Sequence, residues 1–308
     1  MRTLYLLSAA VLVACLPKSV GAEEAQSPRL WPERVLITND DGIEDEDRLR
    51  ALASAFAARG SEVTVAVPQE NRSGTGHQMT LATRSHEISV TRLARHERSN
   101  GGPASAFYVV DGYPADCIVF ALTGPLREEP PDLVISGING GPNLAEAWLG
   151  SGTIGAARIA AFAGIPALAV SGIDEEDPEA PGRVAEWVAR LASWPPVRQL
   201  EAGTYLTVAL PRVSLDEVAG VRVARRFRLR RLPIMSLADG DRSEASELWR
   251  ITGAAAPEPD PESDVALYDQ RYIVITPMRA DEHHEALLDT LAHQVLEIPT
   301  PRIVPARE

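Results

Sequence analysis

Two aspartates stand side by side at Asp40 and Asp41, with Gly42 directly behind them. Adjacent carboxylates repel, and taking both out of water is costly unless a cation shares them. Their oxygens are hard donors of the kind magnesium and manganese prefer. Gly42 allows the chain to turn sharply. Three more polar, glycine-rich stretches follow apolar runs in the same manner. They are Asn71-Arg72-Ser73-Gly74-Thr75-Gly76-His77, Ser136-Gly137-Ile138-Asn139-Gly140-Gly141-Pro142-Asn143, and Ser151-Gly152-Thr153. Such turns expose backbone N–H groups, and a helix N-terminus favours an anion. Carboxylates for a cation beside N–H groups for phosphate describe phosphoryl-transfer chemistry. Asn39, Ser136, Gly137, Ser151, Gly152 and Thr153 are the candidates for holding a phosphate. Thr153 has an alternative role as a helix N-cap.

These stretches meet only if the intervening elements carry them to one edge. The middle of the chain alternates short apolar runs with helical patterns, which predicts βα units and a mostly parallel, Rossmann-like sheet with helices on both faces. Strands are predicted at Val35–Thr38, Glu62–Val67, Phe107–Val110, Asp132–Ser136, Ala167–Ser171, Tyr205–Leu210 and Tyr272–Thr276. Helices are predicted at Arg48–Arg59, Pro114–Leu122, Thr153–Ala163 and Val184–Ala192. Continuous apolar runs suit buried parallel strands, and ligands of such sheets bind beyond the strands' carboxyl ends. Arg225–Arg231, basic with Phe227 and Leu229 alternating, is expected to be an exposed strand. Asp174–Pro181 and Ala254–Ser263 read as loops. Cys117 falls in an apolar helix and reads as a small core residue.

The net charge of -13 disfavours nucleic acid as a partner. The first residues read as an export signal: Arg2, an apolar run from Leu4 to Leu16, then Pro17 and small residues before a cleavage after Ala22. That run is too short to span a bilayer. The alternative is a lipoprotein signal with Cys15 as the lipidated residue. The expectation is a periplasmic protein of one domain over residues 33–308, with a catalytic core at 33–200 and a C-terminal part at 201–308. Losing Arg2 and Lys18 takes the net charge from -13 to about -15.

Together the ordered motifs resemble the survival protein SurE family of nucleotidases. The resemblance rests on Val35-Leu36-Ile37-Thr38-Asn39-Asp40-Asp41-Gly42, Asn71-Arg72-Ser73-Gly74, Gly112-Tyr113-Pro114-Ala115-Asp116-Cys117 and the Ser136–Asn143 stretch. It continues through Ser151–Ala157 and Gly164–Ser171, and resumes at Asp260–Val265 and Ile275-Thr276-Pro277. It implies a Rossmann-like fold and hydrolysis of nucleoside monophosphates, with other small phosphoesters and short polyphosphates as further substrates. It also implies one divalent cation, magnesium or manganese, per subunit, held by Asp40, Asp41, Ser73 and Asn139. Asp40 or Asp41 would also accept the proton of the attacking water. The family implies a homodimer or homotetramer with an exchanged C-terminal hairpin and tail.

Some positions depart from the family. Relatives carry a glycine shortly after the aspartate pair, where this chain has Glu44-Asp45-Glu46-Asp47-Arg48 and one extra residue. Four acids there would repel a dianionic substrate unless they are screened or face away; they could also hold a second cation. The family's threonine before Pro114 is Tyr113, its tyrosine before Ser151 is Gly150, and a helical glutamate is Ile159. His77 is either an acid for the leaving group or a loop histidine. Trp148 and Tyr113, expected at the rim, either stack on a base or pack against a subunit. His283 and His284 read as a solvated helix face. Alternative readings are a broad acid-type phosphatase or exopolyphosphatase, and an exported nucleotide- or metal-binding protein without catalysis. An aspartyl-phosphate mechanism needs Asp-x-Asp and a distal lysine, whereas the aspartates are adjacent and Lys18 is the only lysine.

Overall fold

The computed structural model describes residues 30–80, 87–93, 104–173, 176–229, 234–243, 246–251 and 257–282. The expected export signal with Cys15, His283, His284 and the residues from Pro299 onwards lie outside them. Strand β1 (Arg34–Thr38) is apolar and almost wholly buried, as a central strand must be. Helix α1 (Glu46–Ala57) buries Leu49, Leu52, Ala53 and Phe56, a helical spacing that puts all four on one face. Its acids Glu46 and Asp47 occupy the first turn, where the helix dipole favours negative charge. Gly60, at φ 89°, takes the left-handed conformation that leads out towards β2 (Glu62–Pro68).

Strands β3 (Val90–Arg92) and β4 (Ala106–Val110) follow, then α2 (Pro114–Thr123), which starts on a proline. Cys117 is fully buried in α2, as expected of a core residue. Strand β5 (Leu133–Asn139) leads through a 3-10 turn (Ala145–Leu149) into α3 (Gly152–Phe162). Then come β6 (Ala167–Ser171), α4 (Ala180–Ala192), the short α5 (Pro195–Arg198) and β7 (Thr204–Ala209). The C-terminal part adds β8 (Gly220–Val223), β9 (Met235–Ser243), β10 (Ser246–Ile251), α6 (Asp264–Asp269) and β11 (Tyr272–Arg279).

Among the described residues, nine strands form one sheet in the order β3-β4-β2-β1-β5-β6-β7-β11-β8. Strands β4, β2, β1, β5, β6 and β7 run parallel. β3 and β11 pair antiparallel with β4 and β7. One apolar cluster lies under α1 and α4, and a second lies under α2 and α3, so helices cover both faces. The chain winds outwards from β1 through β2 and β4 on one side, and through β5, β6 and β7 on the other. The winding reverses between β1 and β5, and such a switch point opens a crevice at the strands' carboxyl ends.

Three expectations need correction. β5 continues through Asn139, so Gly137, Ile138 and Asn139, expected in the turn after a strand ending at Ser136, are strand residues. The register against β6 shifts between Ser136 and Asn139, and Gly137 sits at φ 132° within that irregularity. A Cβ on Gly137 would lie 2.3 Å from the Val170 carbonyl oxygen, so only glycine allows this approach. The described part of Arg225–Arg231 is not an exposed strand: it makes a single bridge, Arg225 to Ser263, and its Arg226 and Phe227 are half-buried. Finally, α4 begins at Ala180, so the loop before it is shorter than expected.

Candidate active site

The crevice brings the predicted stretches together. Thr38 of β1 pairs with Ser136 of β5, so Asn39 and Asp40 emerge beside the end of β5. Asn39 is fully buried; its amide donates to the Gly42 carbonyl at 3.0 Å and accepts from the Gly42 N–H at 3.2 Å. The side chain that was expected to hold phosphate therefore braces the turn behind the aspartates. Gly42 stands at φ 83°, and a Cβ there would lie 2.7 Å from the Glu70 backbone. That packing seats the turn against the loop after β2.

Asp40 is only 3% exposed. Its carboxylate accepts the Thr153 hydroxyl at 2.6 Å and faces the N–H groups of Gly152 and Thr153 at the start of α3. Burial nevertheless outweighs these donors and pushes the Asp40 carboxyl above its ordinary value. Gly152 makes the approach possible, since a Cβ there would lie 2.7 Å from the Asp40 Cβ. The N-cap of α3 is Ser151, whose hydroxyl accepts the Ile154 N–H at 3.1 Å. Thr153 is thus not the cap; its hydroxyl belongs to Asp40.

The loop after β2 is tied to the same place. The Arg72 N–H donates to the Asp40 carbonyl at 2.7 Å, and the Gly76 N–H donates to the Gly150 carbonyl at 2.7 Å. Ser73, exposed, follows Arg72 directly, and the Asn71 side chain accepts its N–H at 2.9 Å. On the other side of the crevice, the Asn139 carbonyl accepts the Gly172 N–H at 3.0 Å. The Asn139 side-chain nitrogen donates to the Gly141 carbonyl at 2.6 Å, leaving the oxygen as the end suited to a cation. The Ser136 hydroxyl is fully buried and has no hydrogen-bond partner among the described residues.

These groups suit a hard divalent ion. Asp40, Asp41, Ser73 and Asn139 offer only oxygen donors, and a buried carboxylate whose protonation is favoured by desolvation gains most from a bound cation. Among the described residues no cluster of three or more His, Cys, Asp or Glu side chains forms a rival metal site.

Arg48 is a site neighbour that the sequence did not reveal. It lies in the first turn of α1, donates to Asp45 at 2.6 Å and to the Ile138 carbonyl at 3.1 Å, and sits 3.7 Å from Asp41. Arg50 pairs with Glu46 and Asp47. Asp45, Glu46 and Asp47 are therefore screened by these two arginines. Burial raises the Asp45 carboxyl, and the charge and hydrogen bonds of Arg48 oppose that rise. The only available signal for Arg48 was its unusual place in an acidic run that departs from the family pattern.

His77 is exposed. Trp148 donates to Glu146 at 2.8 Å, and the guanidinium groups of Arg158 and Arg226 lie 5.9 and 5.4 Å from its ring centroid. The Tyr113 ring faces Arg72 at 5.5 Å.

The profile of a known family, "Survival protein SurE", matches residues 35–231. The chain is 34% identical over 248 residues to "5'-nucleotidase SurE" of Aeromonas hydrophila subsp. hydrophila, covering 80% of this chain and 92% of that protein. It is 36% identical over 269 residues to "5'-nucleotidase SurE" of Stenotrophomonas maltophilia, covering 85% and 95%. The fold matches the crystal structure of the SurE protein from Aquifex aeolicus with a TM-score of 0.69 at 26% identity, covering 86% of this chain and all of that one.

Proposed function

The chain belongs to the survival protein SurE family, and on that premise we propose that it is a metal-dependent phosphomonoesterase that hydrolyses nucleoside monophosphates to nucleoside and phosphate. The observation that carries this reading is the seating of Asp40 against the N-terminus of α3 at the sheet's switch point. An ion such as magnesium or manganese, held by Asp40, Asp41, Ser73 and Asn139, would polarise the phosphoryl group and lower the pKa of the attacking water.

The chain's own residues do the positioning. Thr153 and Gly152 hold the Asp40 carboxylate in one orientation. Asn39 and Gly42 fix the turn that carries Asp41. Asp40 or Asp41 takes the proton from the attacking water. The backbone around Gly137 and Ser151 is left to meet the phosphate, whereas the Ser136 hydroxyl, expected to do so, is buried away from it. Trp148 is engaged by Glu146, Arg158 and Arg226, which favours its packing role over stacking on a base.

Two further expectations complete the proposal. The chain is exported and cleaved after Ala22. No helix among the described residues is long and apolar enough to cross a membrane. The protein assembles as a dimer or tetramer. Support for assembly comes from the separate β9–β10 sheet, on which Met235, Leu248, Trp249 and Ile251 are exposed.

The decisive experiment measures phosphate release from a panel of nucleoside monophosphates and an aryl phosphate, with magnesium, with manganese and with chelator. Asp40→Asn serves as the control. Metal-dependent release that is fastest on nucleotides and lost in Asp40→Asn is the expected result. Equal turnover of the aryl phosphate would indicate a broad phosphatase. No release from a folded protein under any metal would overturn the enzyme reading in favour of a binding protein.

A further inference from the structure

One guanidinium joins three parts of the site. Arg48 Nε donates to Asp45 Oδ1 at 2.6 Å, Nη1 donates to the Ile138 carbonyl at 3.1 Å, and Nη1 lies 3.7 Å from Asp41 Oδ2. The Arg48 and Asp41 side chains are only 19% and 16% exposed, so solvent screens the pair weakly. At 3.7 Å the contact with Asp41 is charge attraction and not a hydrogen bond. Arg48 therefore supplies Asp41 with charge more than with orientation. Asp45 and Ile138 anchor the guanidinium independently, so it stays in place when Asp41 takes another partner.

We propose that Arg48 is the counter-ion of Asp41 in the cation-free protein and weakens the site's affinity for a divalent ion, acting as a positioning residue through Asp41. The inference rests on the proposed metal site at Asp40 and Asp41. A fixed positive charge beside a ligand carboxylate repels an incoming dication. That same charge attracts an incoming phosphate dianion. Arg48 thus shifts the site from holding the ion alone towards holding ion and phosphate together. Removing the charge tightens one partner and loosens the other, a split that a purely structural arginine would not produce.

The test is a titration of the full chain with Mn2+ alone, following the free ion by electron paramagnetic resonance. Steady-state kinetics on a nucleoside monophosphate run alongside it. Arg48→Gln is expected to bind Mn2+ about tenfold more tightly than the unsubstituted protein, while its KM rises. Arg48→Lys, which keeps the charge, should restore both values towards those of the unsubstituted protein. Asp45→Asn, which releases the guanidinium to Asp41, should weaken Mn2+ binding. A thermal melt verifies folding of each variant, and Asp45→Asn carries the test should Arg48→Gln not fold. Folded Arg48→Gln that binds Mn2+ no more tightly, or Asp45→Asn that binds it no more weakly, would overturn the inference. The metal site itself would survive that result, provided Asp40→Asn abolishes binding. Absence of Mn2+ binding to the unsubstituted protein would overturn the metal reading and this inference with it.

Discussion

A carboxylate as buried as Asp40 keeps its charge only with help, and Thr153 gives the most direct help through a 2.6 Å hydrogen bond. Thr153→Val should lower kcat/KM about 10- to 100-fold, the range seen when a group supporting a metal ligand is lost. Thr153→Ser keeps the hydroxyl and should stay close to the unsubstituted rate; steady-state kinetics decide between them. Asp40 also makes stability depend on pH. Its carboxyl is raised by burial above the unfolded value of 3.8, so the folded state holds its proton to higher pH than the unfolded chain does. Without a cation, stability therefore falls as pH rises from the unfolded value through the raised one. Asp40→Asn lacks that slope, so thermal melts in chelator should show the variant gaining on the unsubstituted protein from acid towards neutral pH. A constant difference across that range would contradict the assignment. At this scale the sequence revealed chemistry that depends on neighbours in the chain. Asp40 and Asp41 were legible because they are adjacent and follow a strand. The role of Arg48 was not, because its partner at Ile138 is 90 residues away.

Among the elements, the strands were legible wherever both faces are buried, because an unbroken apolar run then has few other readings. The edge strands β3 and β8 were missed. β8 is half-buried at best, and β3 has one half-buried and two exposed residues, so neither carries that signal. The extension of β5 was missed because glycine and asparagine read as a turn, whereas Gly137 lets the strand press against β6. The N-terminal half of α3 depends on the same kind of close contact. A Cβ on Gly155 would lie 2.1 Å from the Gly76 carbonyl oxygen, so the helix rests directly on the loop that carries Ser73. Helix propensity alone would make Gly155→Ala stabilising by about 1 kcal/mol. Overpacking should reverse the sign and destabilise by about 1–3 kcal/mol, and it should lower activity by moving the loop away from Asp40. Denaturant unfolding and kinetics on the one variant test both effects. A more stable Gly155→Ala would show that the contact relaxes without cost.

In the whole molecule, two acids fasten the basic segment after β8 to the core. The Asp264 carboxylate, 4% exposed, accepts the N–H groups of Ala145, Phe227 and Val265 at 2.8, 2.7 and 2.9 Å. Glu146 accepts from Arg226, from the Leu229 N–H at 3.1 Å and from Trp148 at 2.8 Å. These two residues dock the basic segment after β8 onto the 3-10 turn that leads into α3 and the site. None of this was readable from the sequence, because Glu146 lies 80 residues from Arg226 and Asp264 lies 37 from Phe227, and the segment's alternation imitates a strand. For Glu146, burial acts to raise the carboxyl, but Trp148, Arg226 and Leu229 together hold it below its ordinary 4.5. A carboxyl lowered on folding contributes stability that is present above the unfolded value and lost as pH falls through the folded one. Glu146→Gln should therefore lower stability at neutral pH by at most about 1 kcal/mol, since the side chain is 26% exposed and partly screened. The deficit should shrink as pH drops below the unfolded value. It should also shrink in high salt, which weakens the attraction of Arg226. Hydrogen exchange of the Arg225–Leu229 amides, compared between Glu146→Gln and the unsubstituted protein across pH, reads the docking directly. Equal protection at neutral pH would mean that Asp264 holds the segment alone. In that case Asp264→Ala, which orphans three N–H donors, should release it and cost about 3 kcal/mol.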